Sequence, residues 1–207
     1  MGANGASGGY NLENSLRFRG SAGAYLSRTP TTAGNRKTWT YSAWVKLGDM
    51  STTRMLFLGG TADSSSTRST SSYIYPSTSG TAPYQLALGY FGIGTNRSAI
   101  IFRDPSAWYH IVLSIDTTQA TAANRTRLYV NGIENSFDAQ YFAQNVDTGI
   151  NSTTQHEING NFGVGVGDGY ITEINFVDGQ ALTADDFGDY NEDTGVWQPK
   201  KYTGTYG

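Results

Sequence analysis

The sequence predicts an all-β chain folded as one antiparallel β-sandwich or barrel, and three observations carry that prediction. Aromatic residues make up 13% of the chain, with 14 Tyr, 9 Phe and 4 Trp, and such side chains favour pleated, half-buried surfaces over helices. Short apolar alternations recur between turn signals along the whole length, while no segment holds a 3.6-residue period long enough for an amphipathic helix. The 207 residues give a surface of roughly 9,400 Å² folded against about 32,000 Å² unfolded, which is enough burial for one real core. Composition excludes other classes. Charged residues are only 15%, and 26 Gly accompany 5 Pro without a triplet period, so neither a collagen nor a charged disordered chain fits. No repeat of fixed period marks a propeller or solenoid.

Residues 1–9 are rich in Gly, Ala, Ser and Asn and read as a flexible arm with too little side chain to bury. Strands are expected at Leu16–Arg19, at Ala24–Ser27 and over the long run Thr38–Leu47. In that run Trp39, Tyr41, Ala43 and Val45 share a core face, opposite the mostly polar Thr38, Thr40, Ser42 and Lys46. Trp44 lies on the polar side and needs a partner there. Arg54–Gly59 is the next strand, followed by a Ser/Thr-rich loop over residues 61–72. Tyr73–Tyr75, Tyr84–Phe91 and Ser98–Phe102 follow, with Pro76 and Pro83 bracketing an exposed connection. Trp108–Asp116 alternates so that Tyr109, Ile111, Leu113 and Ile115 face one way. Arg127–Val130 then runs into Asn131-Gly132, a strong hairpin signal because both turn residues tolerate positive φ. Gly163–Gly169 alternates glycine with small residues and reads as a turn or bulged strand. A last strand, Tyr170–Val177, leads to Thr183, which can cap one short helical turn whose first residues include Asp185 and Asp186. One domain over residues 10–200 and a tail over 201–207 complete the organisation.

Charge and cysteine usage narrow the function. A net charge of -3 and the lack of a basic stripe argue against nucleic acid. The absence of cysteine excludes a disulfide framework, a thiolate zinc site and a cysteine nucleophile. No apolar run is long enough to span a membrane, and residues 1–7 carry neither the basic nor the apolar part of a signal peptide.

Four segments, in order, resemble a known family. They are Trp39-Thr40-Tyr41-Ser42-Ala43-Trp44-Val45-Lys46, then Trp108-Tyr109-His110-Ile111-Val112-Leu113-Ser114-Ile115-Asp116, then Arg127-Leu128-Tyr129-Val130-Asn131-Gly132, and finally residues 169–183 from Gly169-Tyr170-Ile171-Thr172-Glu173-Ile174 to Ala181-Leu182-Thr183. In combination they resemble the laminin G-like branch of the concanavalin A-like lectin/glucanase superfamily, in particular its copies in virion proteins of marine tailed phages. The phage flavour rests on Tyr25–Pro30 with Asn35–Trp39, and on Thr194–Tyr202. The resemblance implies a jelly-roll sandwich of two curved antiparallel sheets, with ligands on rim loops or in a concave face. It also implies that Trp44 and Trp108 fill the sandwich and that Glu173 supports a loop.

The chemistry follows from what the chain carries. A retaining glycosidase needs two carboxylates about 5–5.5 Å apart, and Glu13, Glu134, Glu157, Glu173 and Glu192 are too far apart in sequence to pair on one strand. The chain is therefore expected to be no enzyme. His110 and His156 read as satisfied strand histidines, since neither stands in a metal-ligand spacing. No cofactor is required, with calcium the one to consider: Asp63, Asp147 and Asp168, with Asn145 and Asn151, are its candidate ligands, although loop acids are ordinarily just solvated. Sugars stack their C–H faces on aromatic rings while amides and acids read the hydroxyls. That chemistry selects Tyr73, Tyr75, Tyr84 and Tyr141, beside Phe142, with Gln144, Asn145 and Asp147 as carbohydrate-binding residues. The expected function is glycan binding for host attachment from a virion surface, in many copies or as a homo-oligomer. The alternative is a capsid-decoration or tail-fibre protein acting through contacts with other virion proteins.

Overall fold

The computed structural model describes residues 10–48, 54–60, 70–75, 84–90, 94–138, 141–161 and 167–207, with the backbone alone for residues 54, 70–75, 90, 94 and 95. The expected arm over 1–9 and most of the glycine-rich 163–169 lie outside these residues. The strands in the first half of the chain are β1 (Leu16–Phe18), β2 (Leu26–Arg28), β3 (Thr38–Lys46), β4 (Arg54–Gly59), β5 (Thr70–Tyr75), β6 (Gln85–Tyr90) and β7 (Gly94–Ile101). Those in the second are β8 (Trp108–Asp116), β9 (Thr126–Val130), β10 (Ile133–Asn135), β11 (His156–Ile158), β12 (Gly169–Asp178), β13 (Gly188–Tyr190) and β14 (Trp197–Pro199).

Two six-stranded sheets result, in the orders β1-β12-β3-β8-β9-β10 and β2-β11-β4-β5-β6-β7, with β13 and β14 forming a separate hairpin. Neighbouring strands pair antiparallel, and the chain passes repeatedly from one sheet to the other. This is the expected all-β jelly-roll sandwich. Its principal core lies between the sheets, where Trp39, Tyr41, Ala43 and Val45 of β3 meet Ile111, Leu113 and Ile115 of β8 beneath Phe57, Leu86 and Leu88. The period-2 pattern specifies this face because a one-residue slip would turn every one of these side chains outward. The Asn131-Gly132 turn takes φ of 49° and 81° and joins β9 to β10, as the sequence indicates.

Several local expectations change. β2 begins two residues later than expected, and the short strands β10, β11, β13 and β14 fall below the length at which alternation is readable. The turn after Thr183 is a 3₁₀ turn, Ala184–Asp186, closed by the Asp186 carboxylate accepting from the Thr183 N–H at 2.9 Å. Two further 3₁₀ turns, Gly20–Ala22 and Ala122–Arg125, are additional to the single one expected.

The larger correction concerns the second face of β3. Thr40, Ser42 and Trp44 are buried, not solvated, because the C-terminal segment folds over the outside of the first sheet. A second core of Trp44, Val112, Tyr129, Val177, Ala184, Phe187 and Trp197 forms there. Trp44 finds the partner it needs in His110, with ring centroids 4.9 Å apart. Trp44 therefore does not fill the space between the sheets, and Trp108 is 36% exposed and does not fill it either. Residues 201–207 lie on the same side, where Tyr202 stacks on Phe187 and the Tyr206 hydroxyl donates to Asn175 Oδ1 at 2.6 Å.

Candidate functional site

The nine residues of β3 span about 26 Å and define two ends of the sandwich: Thr38 pairs with Asp116 at one, Lys46 with Trp108 at the other. The expected carbohydrate-binding residues divide between them. Tyr75 pairs with Gln85, next to Tyr84, whose carbonyl accepts from the Phe102 N–H at 2.8 Å, which is the Lys46 end. Tyr84 is half-buried against the core in a positive-φ conformation. The side chains of Tyr73 and Tyr75 lie outside the described residues. At the Thr38 end the Asn145 N–H donates to the Thr117 carbonyl at 2.8 Å, and Gln144 Nε2 donates to the Thr118 carbonyl at 3.1 Å. Asp147 beside them is exposed, Tyr141 is half-exposed, and Phe142 is a core residue, 2% exposed. Gln144, Asn145 and Asp147 thus share one loop, while Tyr84 sits at the opposite end.

The calcium candidates divide in the same way. Asp168 lies at the Lys46 end, where its Oδ1 accepts from the Gly20 N–H at 3.2 Å, whereas Asn145, Asp147 and Asn151 lie at the Thr38 end. Asn151 spends its amide on Asp178 Oδ1 at 2.7 Å and on the Asn35 carbonyl at 3.3 Å. Asp63 is outside the described residues. The described candidates, Asn145, Asp147, Asn151 and Asp168, do not gather into one coordination shell.

A concavity lies at the Thr38 end, where the sandwich edge opens between β2 and β11 on one side and the end of β12 on the other. It is a groove of about 570 Å³. Phe57 and Phe176, 5.6 Å apart between ring centroids, provide its aromatic wall, with Leu26 and Ile158 alongside. Residues 30–34 cross its mouth, and Arg28, Asn151, His156, Glu157 and Asp178 supply polar groups. Gly34 is required at the crossing: its N–H donates to the Asn151 carbonyl at 3.0 Å, and a Cβ there would collide with Asn151 Nδ2 and Asp178 Oδ2.

Hydrogen bonds hold this groove in shape. Asp178 Oδ1 accepts from the Asn35 N–H at 2.8 Å as well as from Asn151. His156 accepts from the Asn151 N–H at Nε2 (2.8 Å) and lies 2.8 Å from the Thr154 carbonyl at Nδ1. That pattern places the ring proton on Nδ1 and keeps the imidazole neutral. Burial, with the nearby Arg28 charge, lowers its pKa below the ordinary histidine value. Glu157 Oε1 accepts from Gln155 Nε2 at 2.8 Å. Of the residues lining the groove, the sequence marks only Asn151 as a ligand candidate. His156 and Asp178 sit on short or terminal strand positions with no spacing to single them out.

Comparison with known proteins places the fold. Residues 18–187 match the laminin G-like family described as the concanavalin A-like lectin/glucanases superfamily. Among solved structures, the heptameric SAP-like pentraxin of Limulus polyphemus aligns with a TM-score of 0.51 at 17% identity, over 84% of this chain and 75% of that one. A candidate carbohydrate-binding protein of Bacteroides ovatus aligns at 0.51 and 20% identity, over 78% of this chain and 42% of its own. The enzymatically active domain of tailspike protein 2 from bacteriophage CBA120 aligns at 0.54 and 12% identity, over 85% and 29% respectively. This chain thus spans three quarters of the pentraxin but less than half of the other two. No curated protein sequence matches it.

Proposed function

We propose that this chain, which belongs to the concanavalin A-like lectin/glucanase superfamily, is a non-enzymatic glycan-binding module that attaches a virion to surface sugars. The edge groove carries the reading. Phe176, half-buried and backed by the buried Phe57, and the exposed Leu26 offer apolar surface against which a sugar ring can lay its C–H face, and Arg28, Asn151 and Asp178 offer donors and acceptors for hydroxyls around it. Binding is favoured over catalysis because the acid–base groups of the groove already hold structural partners: Asp178 accepts two hydrogen bonds, and both His156 nitrogens are occupied. A general acid or base must instead be free to reach a reacting atom. The fold likeness to a phage tailspike, with the phage-like segments Tyr25–Pro30 and Thr194–Tyr202, supports the virion setting, and that to a candidate carbohydrate-binding protein supports the ligand class. Many copies on one particle would raise weak single-site binding by 10²-fold or more, on the order of ordinary avidity gains.

A structural coat or fibre role is the second reading. Ile133, Tyr190 and Val196 are 63%, 50% and 60% exposed, and Tyr190 approaches the Asn131 carbonyl at 3.5 Å, beside the turn that leads into Ile133. Such a cluster suits contact with another protein.

A glycan array with the purified chain and with an Ala33→Phe variant tests both readings, together with light scattering for oligomeric state. Ala33 is an exposed residue of the segment crossing the groove, so a larger side chain there fills the groove without disturbing the core. Retention of a glycan by the parent chain and its loss in the variant is the expected result. Equal retention by both moves the site to Tyr73, Tyr75, Tyr84, Tyr141 and the Gln144–Asp147 loop, and a stable oligomer that ignores every glycan replaces the lectin reading with the structural one.

A further inference from the structure

A second cleft, of about 400 Å³, opens on the outer face of the first sheet at the Lys46 end of β3, away from the edge groove. Trp44 and Trp108 line it, together with Tyr10, Asn11, Glu13 and Asn14 of the segment that leads into β1. Two hydrogen bonds hold that segment as a wall: the Tyr10 hydroxyl donates to Glu173 Oε1 at 3.0 Å, and Thr172 Oγ1 donates to the Asn14 carbonyl at 2.7 Å. Glu173 presents its carboxylate from a bulge in β12 where its φ is 49°, a conformation that non-glycine residues adopt only when their surroundings hold them there.

Two features of this cleft are unaccounted for by folding. Trp108 is 36% exposed and belongs to neither core cluster, although burying so large a ring is normally favourable. The indole N–H of Trp44 is closed off from solvent and finds no acceptor among the described residues, a condition that native proteins seldom leave unexplained. The side chains of Asn11, Glu13 and Asn14 stand exposed along the same cleft. One stackable ring, Trp108, therefore stands beside an unmet donor and a row of exposed polar side chains.

We propose that this cleft is a second saccharide site, taking a neutral pyranose oligosaccharide that stacks on Trp108 while its hydroxyls meet Asn11, Glu13 and Asn14. An acidic sugar is disfavoured because no lysine or arginine among the described residues lines the cleft and Glu13 brings a negative charge. A hydroxyl, or a water that the ligand carries in as the Tyr10–Ser15 segment adjusts, supplies the acceptor that Trp44 lacks. The site is independent of the edge groove and goes beyond the attachment reading, since two separated sites let one module bridge two chains or two stretches of one chain.

The test is nuclear magnetic resonance of the four indole N–H groups, titrated with cellohexaose, maltohexaose, laminarihexaose and N-acetylchitohexaose, with a polyproline peptide as the competing probe. The expected result is that one of these sugars shifts the Trp44 and Trp108 signals in both the parent chain and Ala33→Phe. Trp108→Ala should weaken that binding about tenfold or more while unfolding at the parent temperature, because the ring is outside both cores. The proposal is overturned if no sugar moves these two signals, if Trp108→Ala binds as the parent does, or if polyproline alone moves them. Loss of the shifts in Ala33→Phe would also overturn it, by assigning them to the edge groove. Failure of the edge-groove reading leaves this test unaffected, because its readout is confined to the two cleft tryptophans.

Discussion

The indole N–H of Trp197 donates to Nδ1 of His110 at 2.9 Å, and this contact fastens the C-terminal hairpin to the middle of the first sheet. Because Nδ1 accepts, the ring proton is assigned to Nε2, which lies 2.9 Å from Ser42 Oγ. Trp44 and Trp197 flank the imidazole, with ring centroids 4.9 and 5.9 Å from it. The Trp197 ring is packed so closely that an added Cβ at Gly188 would collide with it and one at Gly132 would meet it at 2.5 Å. A histidine in the family-like Trp-Tyr-His segment is thus a structural pin.

Burial lowers the His110 pKa to about 3, below the ordinary value of about 6.5. Below the ordinary value the unfolded chain takes up a proton that the folded chain refuses, so stability falls as pH drops from about 6.5 toward 3 and levels off below that. The slope from this one group is at most about 1.4 kcal/mol per pH unit, and His156 acts in the same direction. Urea midpoints measured between neutral and acidic pH should show the loss, with a shallower slope in His110→Gln. An unchanged slope in that variant would remove His110 from the account.

Trp197→Phe keeps a ring beside Tyr190 and His110 but removes the donor to Nδ1. A buried acceptor left without a partner costs about 1–3 kcal/mol, so the denaturation midpoint should drop while the circular dichroism of the sandwich persists. A midpoint equal to the parent's would mean that the hydrogen bond contributes nothing.

Gly34→Ala tests the groove's construction. Its Cβ meets the Asn151 amide and the Asp178 carboxylate, so one of the hydrogen bonds linking Asn35, Asn151 and Asp178 must break. A destabilisation of about 1–3 kcal/mol and weakened glycan retention are expected together. Parent-like melting and retention would show that the loop absorbs the methyl group.

Replacing Tyr73 and Tyr75 together with alanine separates the strand tyrosines from the edge groove. With the sugar in the groove, retention on a glycan array should survive this double change and be lost in Ala33→Phe. The opposite pattern would place the sugar on β5 instead.

Much of the fold was legible because period-2 alternation reports a local fact, namely which side of a strand each residue faces. Trp39, Tyr41, Ala43 and Val45 opposite Ile111, Leu113 and Ile115 could be placed from spacing alone, and Asn131-Gly132 marked its turn by its need for positive φ. The second face of β3 was not legible. Thr40 and Ser42 look solvated in sequence, yet Thr40 Oγ1 donates to the Gln180 carbonyl at 2.7 Å and accepts from the Leu182 N–H at 2.8 Å. Those partners lie some 140 positions away.

The candidate sites show the same division. Aromatic-rich and polar loop segments announced where sugars could bind, but not which of them meet: Tyr84 and the Gln144–Asp147 loop proved to lie at opposite ends of the sandwich, and Asp168 at the far end from Asn151. By itself the sequence determined the all-β class, the inward face of each long strand and the central hairpin, because burial pattern and turn chemistry act between near neighbours. Only the tertiary structure decided that the C-terminal segment covers the first sheet, that Asn35, Asn151 and Asp178 converge on one groove, and that Trp44 and Trp108 share an outer cleft. Those arrangements depend on how loops far apart in the chain return to the sheet ends, and alternation within a strand carries no information about that.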